Sequence, residues 1–138
     1  MVLAPHGGAL ERMLLPFQLG LGGRMGPGRQ WMSWLTLPDA VGLIRYALQD
    51  ESLKGPVNAV AHSPVTNAEF TRVLGRVLHR PTIFPVPGFA LRLMLGEMAD
   101  ALLLSSQRVI PHKLRQLGYR FQHVTLEEGL RVVLARPA

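Results

Sequence analysis

The sequence predicts an α/β fold, and three observations carry that expectation. Short apolar runs with strand character alternate with stretches of helical periodicity throughout the chain. Three boxes, Thr36 with Asp39, Thr66 with Glu69 and Thr125 with Glu128, place a hydroxyl three residues before a carboxylate, the pattern that starts helices. Of the 138 residues 48% are apolar and 17% charged, a composition that packs a core and does not stay disordered. No internal repeat or low-complexity linker divides residues 1–138, which read as one unit.

Val2, Leu3 and Ala4 form an apolar stub stopped by Pro5 and the Gly7, Gly8 pair, so residues 1–8 read as the end of a buried strand. From residue 9 to 19, Leu10, Met13, Leu14 and Phe17 recur at helical spacing. A glycine-rich loop over 20–28 leads to an expected strand at 30–35 (QWMSWL). Trp31 and Trp34, three apart on it, point to opposite faces, one into the core and one onto a pocket or interface.

The Thr36 box opens a helix with Ala40, Val41, Leu43, Ile44, Ala47 and Leu48 on one apolar face, and Pro38 is tolerated in a first turn. Residues 57–61 read as a short strand. The Thr66 box then starts the clearest helix, with Phe70, Val73, Leu74, Val77 and Leu78 at i, i+3, i+4, i+7, i+8. A strand is expected at 82–84 and a helix over 89–103 with Leu91, Met94, Leu95, Met98 and Leu102 inward. Residues 105–110 read as extended or irregular. Pro111 opens a short helix that Gly118 closes, and the Thr125 box starts the last helix, with Leu126, Leu130, Val133 and Leu134 apolar.

Several chemistries lack their residues. Without cysteine there is no disulfide, thiolate zinc site or thiol nucleophile, and a reducing cytoplasm fits. His6, His62, His79, His112 and His123 lack the i, i+4 pairing of a metal site, and no serine lies in a G-x-S-x-G elbow. No run of about 18 apolar residues reads as a membrane span, because Glu97 and Asp100 interrupt the richest stretch. The formal charge of +6 is spread over single arginines without a basic run, which argues against nucleic acid and suits an anionic small molecule such as a sugar nucleotide.

Gly20, Gly23 and Gly26 mimic the glycine spacing of a nucleotide-binding turn. Such a turn must pass directly from a strand into a helix whose amides face the pyrophosphate, whereas here a helix precedes it and a strand follows. It reads instead as a connecting loop that lets backbone approach closely, with Arg29 and Gln30 offering polar contacts beside it. Asp39, Glu69 and Glu128 read as helix caps.

Taken together, VLAPHGGALERMLLPFQLGLGG, GRQWMSWLTLPD, GPVNAVAHSPVTNAEFTRVLGRVLHRP, FPVPGFALRLMLGE and QRVIPHKLRQLGYRF resemble the C-terminal half of the epimerase-like branch of the extended short-chain dehydrogenase/reductase superfamily. The resemblance implies a substrate-side α/β region over 9–138, a late Rossmann strand ending within 1–8, and a Rossmann N-terminal half that lies outside these residues. In complete members it implies NADP or NAD, a small-molecule substrate, and an oxidoreductase or isomerase reaction run by a Tyr-x-x-x-Lys pair. Neither Tyr46 nor Tyr119 has a lysine four residues later, so the chain alone is expected to be inactive. It further implies that the backbone of Val2 and Leu3 meets the nicotinamide end of the cofactor, and that Arg29, Gln30, Trp34 and Asn58 lie where relatives contact substrate. Self-association, or docking to a Rossmann half, would cover the face such a half leaves open.

Overall fold

The computed structural model describes residues 1–97, 100 and 106–135, apart from the side chains of residues 88, 91, 94 and 95. The elements run β1 (Val2–Leu3), α1 (Gly8–Gln18), β2 (Trp31–Met32), β3 (Leu35–Thr36), α2 (Leu37–Gln49), β4 (Val65–Thr66), α3 (Asn67–Leu78), α4 (Gly88–Leu95), α5 (His112–Gln116) and α6 (Leu126–Ala135). This is the α/β alternation expected, built on two very short sheets. β1 pairs with β3 in parallel, Val2 opposite Leu35 and Leu3 opposite Thr36, whereas β2 and β4 are antiparallel, Trp31 opposite Thr66 and Met32 opposite Val65.

The single strand expected at 30–35 is therefore two strands in different sheets. The reason lies at Ser33 and Trp34. Trp34 turns its ring fully into the core and donates its indole N–H to the Ser63 carbonyl at 2.8 Å, while the Ser33 hydroxyl is engaged by residues 107–109. The strands expected at 57–61 and 82–84 do not form. Residues 54–62 are held by one backbone bond and by side chains instead of a ladder: the Ala61 amide donates to the Trp34 carbonyl at 2.7 Å, Lys113 Nζ donates to the carbonyls of Lys54 and Pro56, and Arg115 donates to the ring and carbonyl of His62. The pairing expected near 82–84 falls just later, as an isolated parallel bridge between Met25 and Val86.

The main core gathers Leu3, Leu10, Phe17, Trp34, Phe70, Leu74, Leu130 and Val133 between α1, α3, α6 and the strands. A smaller cluster of Leu35, Leu43, Leu114 and Phe121 sits beneath α2 and α5. α3 buries Phe70, Val73 and Leu74 as its periodicity requires, and α6 buries Leu126, Leu130 and Val133. α2 differs. Leu43 is buried, but Val41, Ile44 and Leu48 are 43%, 61% and 83% exposed, so its apolar face is wider than the core it meets. The helix expected over 89–103 forms in its first part as α4, which Gly96 closes with a positive φ of 61°; residues 98–99 and 101–103 lie outside the described residues, as do the side chains expected to face inward.

All three caps form, with Thr36, Thr66 and Thr125 hydroxyls accepting from the amides of Asp39, Glu69 and Glu128. Glu128 completes a reciprocal box by accepting the Thr125 amide at 3.2 Å. Asp39 does something else. Its carboxylate, with no exposed surface, accepts the amides of Gln122 at 2.6 Å and His123 at 3.2 Å and the Thr36 hydroxyl at 2.9 Å, with His123 Nδ1 3.2 Å away. A capping carboxylate has thus become the clamp that fastens the 121–123 segment onto α2.

Two expectations follow. Asp39→Ala leaves the buried Thr36 hydroxyl and the amides of Gln122 and His123 without their acceptor and is expected to cost about 3 kcal/mol, with Asp39→Asn costing less because one acceptor oxygen survives; a urea midpoint within error of the parent would defeat this account. His79 closes α3 in the left-handed region at φ 54°, ψ 44°. Relief of its Cβ clash outweighs the extra chain entropy of glycine, so His79→Gly is expected to stabilise by about 0.5–1 kcal/mol in the same measurement.

Candidate functional site

In α/β sheets ligands gather beyond the carboxyl ends of parallel strands. Here that end of β1 runs through Ala4, Pro5 and His6 into Gly7 and Gly8, whose positive φ values of 75° and 77° come with open space where a Cβ would stand. Leu3 is fully buried and could meet a cofactor through its backbone alone, whereas Val2, 47% exposed, also offers side-chain surface. The amino end of α1 has an occupant of its own: Glu11 Oε2 accepts the Gly7 amide at 2.7 Å. A carboxylate on the Gly7 amide disfavours a second anion at that point.

The glycine loop is a packing device. At Gly23 an added Cβ would stand 1.6 Å from the Phe84 carbonyl oxygen, and at Gly22 it would stand 2.4 Å from the Phe17 ring. The loop is then fastened to the start of α3. The Gly28 and Gln30 carbonyls accept the amides of Ala68 and Asn67 at 2.9 and 2.8 Å, and buried Asn67 accepts the Met25 amide at 2.6 Å through Oδ1. These contacts occupy the free amides at the start of α3 and leave none for a phosphate. Gln30 Nε2 donates to the Met25 carbonyl at 3.0 Å, which fixes the side chain expected to meet substrate.

Arg29 is exposed at the end of this loop, and Asn58 is exposed on the segment that α5 holds. Trp34, also expected at the substrate, is 1% exposed with its indole N–H satisfied, so its ring offers no surface to a ligand in this arrangement. Trp31 is the tryptophan with a surface. Its ring carries the Arg108 guanidinium 4.5 Å from the centroid.

Arg108 reaches that ring because residues 106–109 lie along β2. The Gln107 amide donates to the Trp31 carbonyl at 3.0 Å, and the Trp31 amide donates to Ser106 Oγ at 3.0 Å. Ser33 Oγ, nearly buried, donates to the Gln107 carbonyl at 2.8 Å and accepts the Val109 amide at 2.9 Å. Arg108 sits between the two residues so gripped. The sequence flags the two tryptophans and the loop polar pair, but the 106–109 strap and Ser33 carry no motif and emerge only from the fold.

Neither tyrosine is tuned as a proton acceptor. Burial, and after it the charge of Asp39, raises the Tyr119 phenol above its ordinary value, and hydrogen bonding to Asp50 does the same for Tyr46. A catalytic phenol needs the opposite shift, which a neighbouring cation supplies.

The arrangement has known counterparts. Residues 86–133 match the family described as a domain of unknown function, DUF1731. The chain is 47% identical over 136 residues to an epimerase family protein of Mycobacterium tuberculosis, covering 99% of this chain and 45% of that one. It is 43% identical to the mouse (Mus musculus) epimerase family protein SDR39U1, covering 97% of this chain and 46% of the relative. Among solved structures, human SDR39U1 (isoform 2) with NADPH superposes with a TM-score of 0.89 at 36% identity, over 99% of this chain and 46% of that one. A nucleoside-diphosphate sugar epimerase from Corynebacterium glutamicum gives a TM-score of 0.71 at 28% identity, over 96% of this chain and 24% of that one. The chain therefore spans slightly under half the length of the curated relatives it matches.

Gly23→Ala is expected to destabilise by about 3 kcal/mol, because the clash is with backbone that cannot rotate away. If thermal unfolding of that variant matched the parent, the close approach of the loop to residue 84 would be refuted.

Proposed function

We propose, for a chain that corresponds to the C-terminal part of epimerase family proteins, that it forms the substrate-side half of an NADP(H)-dependent oxidoreductase or epimerase. The observation that carries this reading is its close superposition on a relative solved with NADPH. In the complete protein NADPH supplies or accepts hydride. The part played by this chain is to offer the backbone end of β1 to the uncharged nicotinamide edge and to present Arg29, Gln30 and Asn58 to a small-molecule substrate. Arginines suit an anionic substrate, of which a nucleotide-sugar is one class.

The nucleotide site itself calls for a Rossmann half. A two-stranded parallel sheet is incomplete as a unit, since parallel strands need neighbours and covered faces. The amino ends of α1 and α3 are occupied by Glu11 and by loop carbonyls, which leaves the pyrophosphate to be held elsewhere. The Tyr-x-x-x-Lys pair is not among these 138 residues, so on this reading the chain alone is catalytically inactive. A cytoplasmic location fits the absence of cysteine, and no helix among the described residues is long and apolar enough to cross a membrane.

One feature favours a second reading, in which the chain acts as a non-catalytic docking module. The exposed stripe Leu37, Val41, Ile44 and Leu48 on α2 is an apolar face in search of a cover, supplied by a partner or by a second copy.

Calorimetric titration decides between these. The 138-residue chain is expected to give no heat with NADPH, and a two-piece or fused protein carrying a relative's Rossmann half is expected to bind it. Micromolar binding by the chain alone would sink the proposal, and a fused protein that folds yet binds no NADPH would favour the docking module.

A further inference from the structure

We propose that Arg108, held on the face of Trp31, is an oxyanion-binding residue that reads a phosphate or carboxylate group of the substrate. The inference rests on the reading of this chain as a substrate-side half, and it adds Arg108, which lies in no sequence motif, to the outward-facing tryptophan.

Three observations converge on it. First, Arg108 is exposed, and no carboxylate among the described residues pairs with it; its one recorded contact is the Trp31 ring. Several other exposed arginines are committed to protein partners, Arg76 and Arg131 to Glu127, Arg92 to Asp100 and Arg115 to His62, and among the described residues Arg108 is the one whose guanidinium lies on an aromatic ring. Stacking on an indole uses the flat face of a guanidinium and leaves its N–H edge free, which is the edge that grips an oxyanion with two parallel hydrogen bonds.

Second, the position is built. Ser33 is a hydroxyl 8% exposed that both donates and accepts, and it fixes the residues on either side of Arg108, while the Gln107 amide and Ser106 hydroxyl fix the strap to Trp31 itself. A merely solvated arginine needs no such support. Preorganisation of this kind lowers the conformational entropy lost when a ligand is gripped.

Third, the pair stands beside the loop already expected at the substrate. Trp31 directly follows Arg29 and Gln30, so a second exposed guanidinium lies two residues away along the chain. A guanidinium stacked on an aromatic ring fits a ligand with a charged group attached to a flat or apolar body.

The test uses the whole chain, labelled with nitrogen-15, and follows the Trp31 indole and Arg108 Nε signals at fixed ionic strength. Inorganic pyrophosphate and malonate are the probes, since the first stands for a phosphate source and the second for a carboxylate source. Saturable shifts at Trp31 with at least one probe, with Trp34 unmoved, are expected, and the tighter probe identifies the source. Arg108→Gln is expected to weaken the effect at least tenfold, and Arg108→Lys to weaken it less because the charge remains and the fork is lost. The unfolding midpoints of both variants should stay near the parent's, which separates a binding role from a structural one. Shifts equal in Arg108→Gln and parent, or no saturable shift with either probe, would overturn the proposal. The NADPH titration does not touch this site, so failure there and failure here are distinguishable.

Discussion

Everything on one side of the molecule hangs from the carboxylate of Asp39. It caps nothing in the ordinary sense, because the Thr36 hydroxyl already takes the Asp39 amide. Instead it gathers two amides from residues 122 and 123, the Thr36 hydroxyl and the His123 ring into a site without solvent. A buried carboxylate is tolerated only when its lone pairs are filled, so the geometry of α2, of the turn before α6 and of β3 is set jointly. Gly129 shows the tightness of the result: a Cβ there would stand 2.8 Å from Thr36 Cγ2 and 3.2 Å from the Trp34 ring.

From that clamp the candidate site is reached in short steps. β3 carries Thr36 at one end and is preceded by Ser33 and Trp34, one anchoring the strap and the other anchoring the core. Two tryptophans three residues apart thus divide the labour, Trp34 setting the depth of the segment and Trp31 presenting a ring outward. The loop before them is held by backbone contacts at Gly23 and by Asn67, so Arg29 and Gln30 leave a rigid base.

Helices were legible in the sequence because each depends on local terms, namely a cap, a period of 3.6 and a stop such as Gly118 or Gly96. The strands were less so. Residues 57–61 and 82–84 have the composition of strands, but the first is held by one backbone bond from Ala61 to the Trp34 carbonyl and by α5 side chains gripping the residues that flank it, and the second packs against the loop at Gly23, which no pattern within the segment reveals. Among candidate site residues, Arg29, Gln30 and Asn58 lie on exposed or half-exposed positions, and Trp34 lies in the core. Choosing between Trp31 and Trp34 required the break between β2 and β3, and that break depends on contacts 29 to 76 residues away in the chain. The reading of Asp39 as a cap found its position and missed its partners for the same reason.

The strap has a consequence for the order in which the protein is made. Ser33 bonds with residues 74 and 76 positions later, so β2 leaves the ribosome long before the segment that covers it. At about 5–20 residues per second, that interval lasts on the order of 4–15 seconds. For this time the Ser33 hydroxyl and the Trp31 amide remain bonded to water, and Trp31 is an uncovered aromatic on a nascent chain. The stretch over 106–135, synthesised well after β2, therefore both closes the core through α6 and seats Arg108, so that a chain interrupted before it would lack stability and the candidate anion site together.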